Sequence, residues 1–220
     1  MKQSLLFLCL LVFLSCEKSS QEPEPPEQPK NEVVINGNTF STVDIGNQTW
    51  TSEGYFGSTG AGPYPDGSWS YTIDRMKEIV PPAGWRIPTK ADVEKLLKFA
   101  GATNGWTPFQ ETYGEYLNVP KPVTVTDNGT HFKASNDVAI KLMAGPWEFI
   151  NASNSLGFNA VLLSGKQAEF WLSDDGLCTF LFYTSAEEKA VAVIKHLPNI
   201  NKQGSKYLYK TAGVRFVKDK

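Results

Sequence analysis

The sequence predicts an α+β fold, in which a short β-meander is followed by two or three short helices and then by antiparallel strands. Two observations support this prediction. An apolar stripe with helical spacing begins at Lys90, whereas the last third of the chain alternates β-rich runs with turn residues. Helices and strands that are separated along the chain in this way are typical of α+β domains.

Residues 1–15 are predicted to be a signal peptide. Lys2 supplies a positive charge, residues 5–14 form an apolar run that is too short to span a bilayer, and Ser15 offers a small residue before Cys16. This arrangement resembles a bacterial lipobox, which implies that Cys16 is lipidated and becomes the first mature residue. A lipid anchor in a membrane is therefore expected. An ordinary secretory signal or an uncleaved anchor is the alternative.

Residues 16–30 are predicted to form a linker after the lipidated Cys16, ahead of a single domain over 31–220. Glu, Pro, Gln, Ser and Lys dominate the linker, and proline is its only apolar side chain after Cys16. This composition cannot bury a core. Its prolines favour an extended chain that reaches about 40 Å. The domain is therefore expected to stand away from the membrane.

Charge and cysteine content narrow the function of the domain. The formal net charge of the chain is −2. Proteins that bind nucleic acids typically carry a large positive charge, so no nucleic-acid partner is expected. Cys9 leaves with the signal peptide and Cys16 is taken by lipid, which leaves Cys178 in the domain. No intrachain disulfide is then possible. Cys178 is expected to be a small buried residue in a strand.

Turn residues define the elements of the first half of the domain. Three β-rich runs separated by Asn36-Gly37 and Gly46-Asn47 predict a meander over 33–35, 39–45 and 48–51. The glycine-rich and aromatic segment 54–71 is expected to be an irregular loop. A short helix is expected over 72–80, because Pro81-Pro82 follows it.

The clearest helix signal follows Pro88. Thr89 and Asp92 match a capping box, in which the threonine hydroxyl accepts a hydrogen bond from a main-chain amide of the first turn. The helix is therefore predicted to begin at Lys90 and to stop at Gly101. Its apolar face consists of Val93, Leu96, Leu97 and Ala100.

Beyond this helix the sequence predicts a loop, a hairpin, a further helix and a series of strands. The loop covers 104–119, and the hairpin joins 123–126 to 130–133 through Asp127-Asn128-Gly129. The helix covers 137–143. The later strands are expected at 158–163, 169–172, 177–184, 190–196 and 213–217.

Six short motifs in the domain suggest a family. In chain order they are Val43-Asp44-Ile45-Gly46-Asn47-Gln48-Thr49-Trp50, Tyr71-Thr72, Pro82-Ala83-Gly84-Trp85-Arg86-Ile87-Pro88-Thr89, Gly157-Phe158-Asn159-Ala160, Phe170-Trp171-Leu172-Ser173 and Gly213-Val214-Arg215-Phe216-Val217-Lys218-Asp219. Together they resemble the Fibrobacter succinogenes major paralogous domain of exported Bacteroidetes proteins. The resemblance covers nearly all of residues 31–220. It implies a C-type-lectin-like fold and a lipid-anchored place in the outer membrane, at the cell surface or on the periplasmic face.

The resemblance implies a structural role for the landmark residues. These are Trp50, Gly84, Trp85, Arg86, Pro88, Trp171 and Arg215. The three tryptophans are expected in the core. Arg86 and Arg215 are expected to form buried ion pairs with Asp44 or Asp74 rather than to contact a ligand.

The sequence favours a binding module over an enzyme. Neither His131 nor His196 belongs to a recognisable nucleophile motif, and no glycine-rich phosphate loop is present, so no catalytic residue and no cofactor are assigned. Calcium needs about six to eight oxygen ligands. Asp174-Asp175 is the nearest candidate, and it is a weak one, with a solvated turn as the alternative.

Aromatic side chains in two segments are the candidate ligand-binding residues. Carbohydrates and peptides are recognised by exposed aromatic faces near amides and carboxylates. Tyr64, Trp69, Trp106 and Tyr113 meet this description, with packing in the core as the alternative. Analogy at the level of the fold favours a glycan or glycoprotein as ligand. The alternative function is a structural component of a cell-surface or fimbria-like assembly, bound through strand edges.

Overall fold

The computed structural model confirms the α+β class, because the described residues form antiparallel sheets together with a few short helices. It describes residues 31–57, 69–103, 106–113, 123–134, 136–161, 167–174, 177–197 and 211–220. All of them belong to one unit, Asn31–Lys220, and residues 1–30, which include Cys16, lie outside the described residues. In the part of the chain just given, no helix is long and apolar enough to cross a membrane.

The elements follow one another in an order close to the predicted one. In chain order they are β1 (Glu32–Ile35), β2 (Asn38–Ile45), β3 (Gln48–Thr51), α1 (Ile73–Lys77), α2 (Lys90–Phe99), β4 (Trp106–Tyr113), β5 (Val123–Ala134), α3 (Asn136–Leu142), β6 (Pro146–Trp147), β7 (Ile150–Asn151), β8 (Gln167–Leu172), β9 (Leu177–Ser185), β10 (Lys189–Leu197) and β11 (Val217–Asp219).

The first sheet contains the predicted meander and the end of the chain, in the order β1-β2-β3-β11. All neighbouring strands are antiparallel. Asn36 and Gly37 both have positive φ angles, 50° and 80°, which a two-residue turn of the primed type requires. The turn that the Asn-Gly dipeptide predicts is therefore confirmed.

The second sheet has the order β4-β5-β10-β9-β8 and contains the predicted C-terminal strands. Strands β9 and β10 form its central hairpin, paired from Lys189 opposite Ser185 to Leu197 opposite Leu177. Strands β6 and β7 form a separate two-stranded ribbon that the sequence did not predict.

Two predictions between α2 and α3 are wrong. The segment 104–119 was expected to be a loop, but Trp106–Tyr113 forms strand β4. Asp127-Asn128-Gly129 was expected to turn a hairpin, but these residues lie within the single strand β5. Pairing between the two strands outweighs the local turn preference.

Three element predictions need smaller corrections. Helix α1 ends at Lys77, well before residue 80. No strand forms over the described residues 158–161 of the predicted strand 158–163, because Asn159 has a φ of 58°, which a strand does not accommodate. In the segment 213–217, Gly213 bridges Phe170 of β8 and only the end enters β11, because this segment crosses from one sheet to the other.

A small apolar cluster of the described residues consists of Leu181, Val191 and Val193 in strands β9 and β10. Two large apolar clusters fill the rest of the described interior. The larger one lies between α2, α3 and the second sheet, and it includes Cys178 of β9 as a buried side chain, as predicted. The smaller one is largely aromatic and lies beside the first sheet. Its largest side chains are Phe40, Tyr55, Tyr71, Trp171 and Phe216.

Candidate functional site

A cleft of about 680 Å³ lies at the turn end of the β1–β2 hairpin. This volume is within the range of small-ligand pockets. Three parts of the chain build the wall: the hairpin, the segment that follows β3, and the residues that follow α1. The described lining residues are Asn36, Asn38, Tyr55, Phe56, Gly57, Trp69, Glu78 and Ile79.

Main-chain hydrogen bonds hold the aromatic wall of the cleft. The Tyr55 amide donates to the carbonyl of Val214 at 2.7 Å, and the Trp69 amide donates to the carbonyl of Tyr55 at 3.3 Å. The Phe56 ring packs against Phe40 with 4.7 Å between ring centres. The aromatic wall is thus attached to the core below it.

Two side-chain amides of the β1–β2 hairpin bond to the aromatic wall. Asn36 Nδ2 donates to the Tyr55 hydroxyl at 2.9 Å, and Asn38 Nδ2 donates to the carbonyl of Phe56 at 3.3 Å. Gly57 approaches Tyr55 so closely that a Cβ atom at Gly57 would lie 2.5 Å from the Tyr55 hydroxyl. Glycine at this position therefore allows the chain to pass over the hydroxyl.

A charged pair stands at the end of α1. Glu78 Oε2 accepts from Arg75 Nη1 at 2.9 Å, and both side chains are more than half exposed. Glu78 lines the cleft, and among the described lining residues it is the charged one. The cleft therefore combines aromatic surface, side-chain amides and a carboxylate.

The four candidate ligand-binding residues have different outcomes. Trp69 is partly buried and lines the cleft. Trp106 and Tyr113 lie in β4, an edge strand of the second sheet, rather than in the predicted loop, and the positions of their side chains are outside the described part. Tyr64 lies outside the described residues.

Sequence reasoning missed the polar residues of the cleft. Asn36 was recognised as a turn residue only, and Asn38 and Glu78 were not singled out. These residues meet through the packing of α1 near the β1–β2 turn, so their spacing along the chain carries no signal of a shared site.

The predicted core position of the three tryptophans is confirmed for Trp50 and Trp171. Trp50 and Trp171 are fully buried. Trp171 Nε1 donates to the carbonyl of Tyr71 at 2.6 Å. Trp85 is only partly buried, so the prediction of a core position is wrong for it: one side packs against the aromatic cluster beside the first sheet, and the Lys218 ammonium group lies 5.0 Å from the ring centre.

Arg86 pairs with partners other than those predicted. Its guanidinium contacts Asp92 at 2.6 Å and Asp219 at 2.9 Å, and neither Asp44 nor Asp74 is its partner. The start of α2 brings Asp92 close, and the bridge between Arg86 and Val217 brings the end of β11 close. The ion pair is therefore confirmed, but its partners differ from those predicted, and Arg86 is only partly buried.

The residues around Arg86 hold it in place. Gly84 has a φ of 82°, in the left-handed region that favours glycine, at the turn that precedes the arginine. The carbonyl of Pro88 accepts from the Ser173 amide at 2.9 Å, which ties the start of α2 to the end of β8. These two landmarks therefore have structural roles.

Asp92 is the buried centre of this network. Its carboxylate accepts hydrogen bonds from Gln48 Nε2 at 2.8 Å, from Arg86 and from Thr89. Burial raises the pKa of Asp92, but the hydrogen bonds from Arg86 and Thr89 outweigh it and hold the pKa below its ordinary value.

Arg215 is buried and bonds to main-chain carbonyls instead of pairing with Asp44 or Asp74. It donates to Thr51 at 2.8 Å, to Phe158 at 2.6 Å and to Asn159 at 2.8 Å. Its guanidinium also lies 4.5 Å and 4.7 Å from the ring centres of Phe158 and Phe170. The predicted pairing is wrong because Asp44 bonds to Thr49 and Lys220 on the other side of the sheet.

Of the weak calcium candidate Asp174-Asp175, the structure describes Asp174, whose carboxylate has a structural role. Asp174 Oδ2 accepts from the Lys90 amide at 2.6 Å, at the N-terminus of α2. Asp175 lies outside the described residues. Within the described ranges, no group of three or more His, Cys, Asp or Glu side chains could hold a metal ion.

Comparison with known proteins gives no match. No family model, no curated protein and no solved structure is significantly similar to the chain.

Proposed function

We propose that this protein is a non-catalytic lipoprotein of the cell envelope that binds a glycan or glycoprotein through the cleft beside Trp69. The observation that carries the proposal is the presence of Trp69, two side-chain amides and a carboxylate around one cleft. Sugar CH faces stack on aromatic rings, and sugar hydroxyls pair with amides and carboxylates. The cleft offers both kinds of contact.

We also propose the finer assignments that the motifs suggest. The domain 31–220 is a member of the Fibrobacter succinogenes major paralogous family with a C-type-lectin-like fold, and Cys16 carries the lipid that anchors it in the outer membrane. The order of the six motifs supports the family, and the residues before Cys16 support the anchor.

The test is a glycan array probed with the purified full-length protein and with two variants, in the presence and absence of calcium. Trp69→Ala should weaken glycan binding by about tenfold or more, because the loss of a stacking aromatic is among the costliest changes in a binding site. Phe149→Ala is the matched control, because Phe149 is an exposed aromatic in the turn between β6 and β7. It should bind as the parent does.

One specific observation favours the alternative, an assembly component. Strand β1 is an edge of the first sheet, and Val34 in it is 58% exposed, so the edge could pair with a strand of another chain. A blank array together with a co-purified protein partner would support this alternative and would contradict glycan binding.

A further inference from the structure

We propose that the glycan bound by the cleft carries an N-acetylated amino sugar, and that its acetamido group binds at the Tyr55 hydroxyl. This inference rests on the proposed glycan binding and names the class of sugar that the same cleft takes. The Tyr55 hydroxyl lies between two lining residues of the cleft. Asn36 Nδ2 donates to it at 2.9 Å, and a Cβ atom at Gly57 would lie 2.5 Å from it.

The Tyr55 hydroxyl keeps an unused donor. A tyrosine hydroxyl can both donate and accept a hydrogen bond. The bond from Asn36 uses its accepting side, and it is the one hydrogen bond of the Tyr55 side chain in the described part of the chain. Tyr55 is 3% exposed, so its hydroxyl has little contact with water. Because an unpaired buried donor is costly, an acceptor atom of a ligand is favoured at this point.

The two asparagines offer acceptors on the hairpin side of the cleft. Asn36 uses its Nδ2 atom to bond to Tyr55, and Asn38 uses its Nδ2 atom to bond to the carbonyl of Phe56 at 3.3 Å. These two bonds orient both amide groups. Neither Oδ1 atom accepts a hydrogen bond within the described ranges. A carboxamide oxygen only accepts, so these atoms favour an N–H or O–H group on the ligand.

An acetamido group can make all the contacts that the cleft offers. Its carbonyl accepts from Tyr55, and its N–H donates to an asparagine Oδ1. Its methyl group lies against the apolar part of the lining, where burial removes apolar surface from water. That apolar part consists of Phe56, Trp69 and Ile79.

A plain sugar hydroxyl makes fewer of these contacts. It has no methyl group to bury against the aromatic wall. It is also shorter than an acetamido group, so it does not extend as far from the sugar ring towards the buried Tyr55 hydroxyl. The cleft should therefore prefer the acetylated sugar.

The test is an array of matched sugars probed with the purified full-length protein. It holds N-acetylglucosamine beside glucose and N-acetylgalactosamine beside galactose, each pair in the same linkage. The acetylated member of at least one pair should bind about tenfold more tightly, because it adds a buried methyl group and a hydrogen bond.

Two tyrosine variants test where the acetamido group binds. Tyr55→Phe removes the hydroxyl and keeps the ring, which packs against Phe40, Tyr71 and Phe216. It should lower the preference for the acetylated sugar by about fivefold, the effect of one hydrogen bond. Tyr183→Phe is the matched control, because Tyr183 lies in β9 and is not one of the described lining residues. It should keep the preference of the parent.

The outcomes separate this inference from the proposed function. If both members of every pair bind equally in a Trp69-dependent way, the acetamido inference is overturned and glycan binding stands. This comparison uses the parent alone, so it remains decisive even if Tyr55→Phe fails to fold. If Tyr55→Phe weakens both members of a pair by the same factor, Tyr55 has only a structural role and the inference is also overturned. If no sugar binds, both proposals are overturned.

Discussion

At the scale of single residues, Asp92 shows how one buried carboxylate holds three parts of the fold. Its side chain is 3% exposed, and its partners come from β3, from the Arg86 turn and from the cap of α2. A buried carboxylate needs such a set of donors to compensate its charge. Removal of the carboxylate would leave all of these donors without their acceptor. The network therefore depends on the carboxylate more than on any single donor.

Asp92→Asn should lower the free energy of unfolding by about 2 kcal/mol. Removal of one member of a buried pair costs about 3–5 kcal/mol, and the estimate is reduced here because Arg86 is 36% exposed. Urea unfolding measures the change. Glu94→Gln is the control on the same helix, because Glu94 is only partly buried and forms an ion pair with the exposed Lys98. It should change stability by less than about 0.5 kcal/mol.

The same variant has a pH signature. The pKa of Asp92 lies below its ordinary value in the folded state, so its contribution is present above the unfolded pKa of about 3.9 and is lost as pH falls through the folded pKa. The stability difference between the parent and Asp92→Asn should therefore shrink below about pH 4. A difference that stays constant down to pH 2 would contradict this assignment.

At the scale of elements, α2 forms where the local sequence predicts it. The Thr89 hydroxyl accepts from the Asp92 amide, and the Asp92 carboxylate accepts from the Thr89 amide, which completes the capping box. Asp174, which follows β8 and is distant from α2 in the sequence, accepts a further hydrogen bond from the Lys90 amide. The capping box can be predicted from the four adjacent residues 89–92. The bond to Asp174 cannot, because it depends on the packing of β8 against the start of α2.

Thr89→Ala should destabilise the protein by about 1 kcal/mol, the usual cost of a lost helix cap. Thermal or urea unfolding measures it. Thr89→Ser keeps the hydroxyl and should recover most of the loss. If both variants were equally destabilised, the methyl group rather than the cap would be responsible.

Strands β4 and β5 show why local signals failed for part of the fold. Thr107 pairs with His131 and Phe109 pairs with Asp127, so the intervening residues of β5 form a bulge. The Asn128-Gly129 dipeptide therefore coincides with a local distortion of the backbone, but the distortion is a bulge within β5 and not a turn that ends the strand. Pro108 lies at the same irregularity in an edge strand, where a missing amide donor is tolerated.

The candidate site was predictable only in part for the same reason. Trp69 could be selected because a tryptophan in a glycine-rich segment is a common binding feature. Asn38 and Glu78 could not be selected, because only the packing of α1 near the β1–β2 turn brings them to one cleft. Local sequence specifies caps and turns, whereas contacts between distant segments build the site.

At the scale of the whole molecule, Arg215 joins segments that are far apart in the chain. Its three carbonyl partners come from β3 and from the segment after β7, and its own segment runs from β8 to β11. Phe158 and Phe170 enclose the guanidinium. The two sheets therefore share one buried cation between them.

Arg215→Lys should cost about 3 kcal/mol or more, because an ammonium group cannot reproduce the planar fork that contacts three carbonyls. Urea unfolding, or loss of soluble protein, measures this effect. Arg75→Lys is the control, since Arg75 is exposed on α1. A cost for Arg215→Lys as small as that of the control would show that the buried guanidinium does not hold the sheets together.

The β1–β2 hairpin also determines how the domain can be attached to a surface. Asn31, the first residue of the folded unit, accepts a bond from Thr42, about 15 Å along the strands from the Asn36 turn where the cleft lies. Lys220 bonds to Asn47 at the turn between β2 and β3, also away from the cleft. A biosensor could therefore immobilise the unit through Asn31 or Lys220 and leave the cleft open to solution.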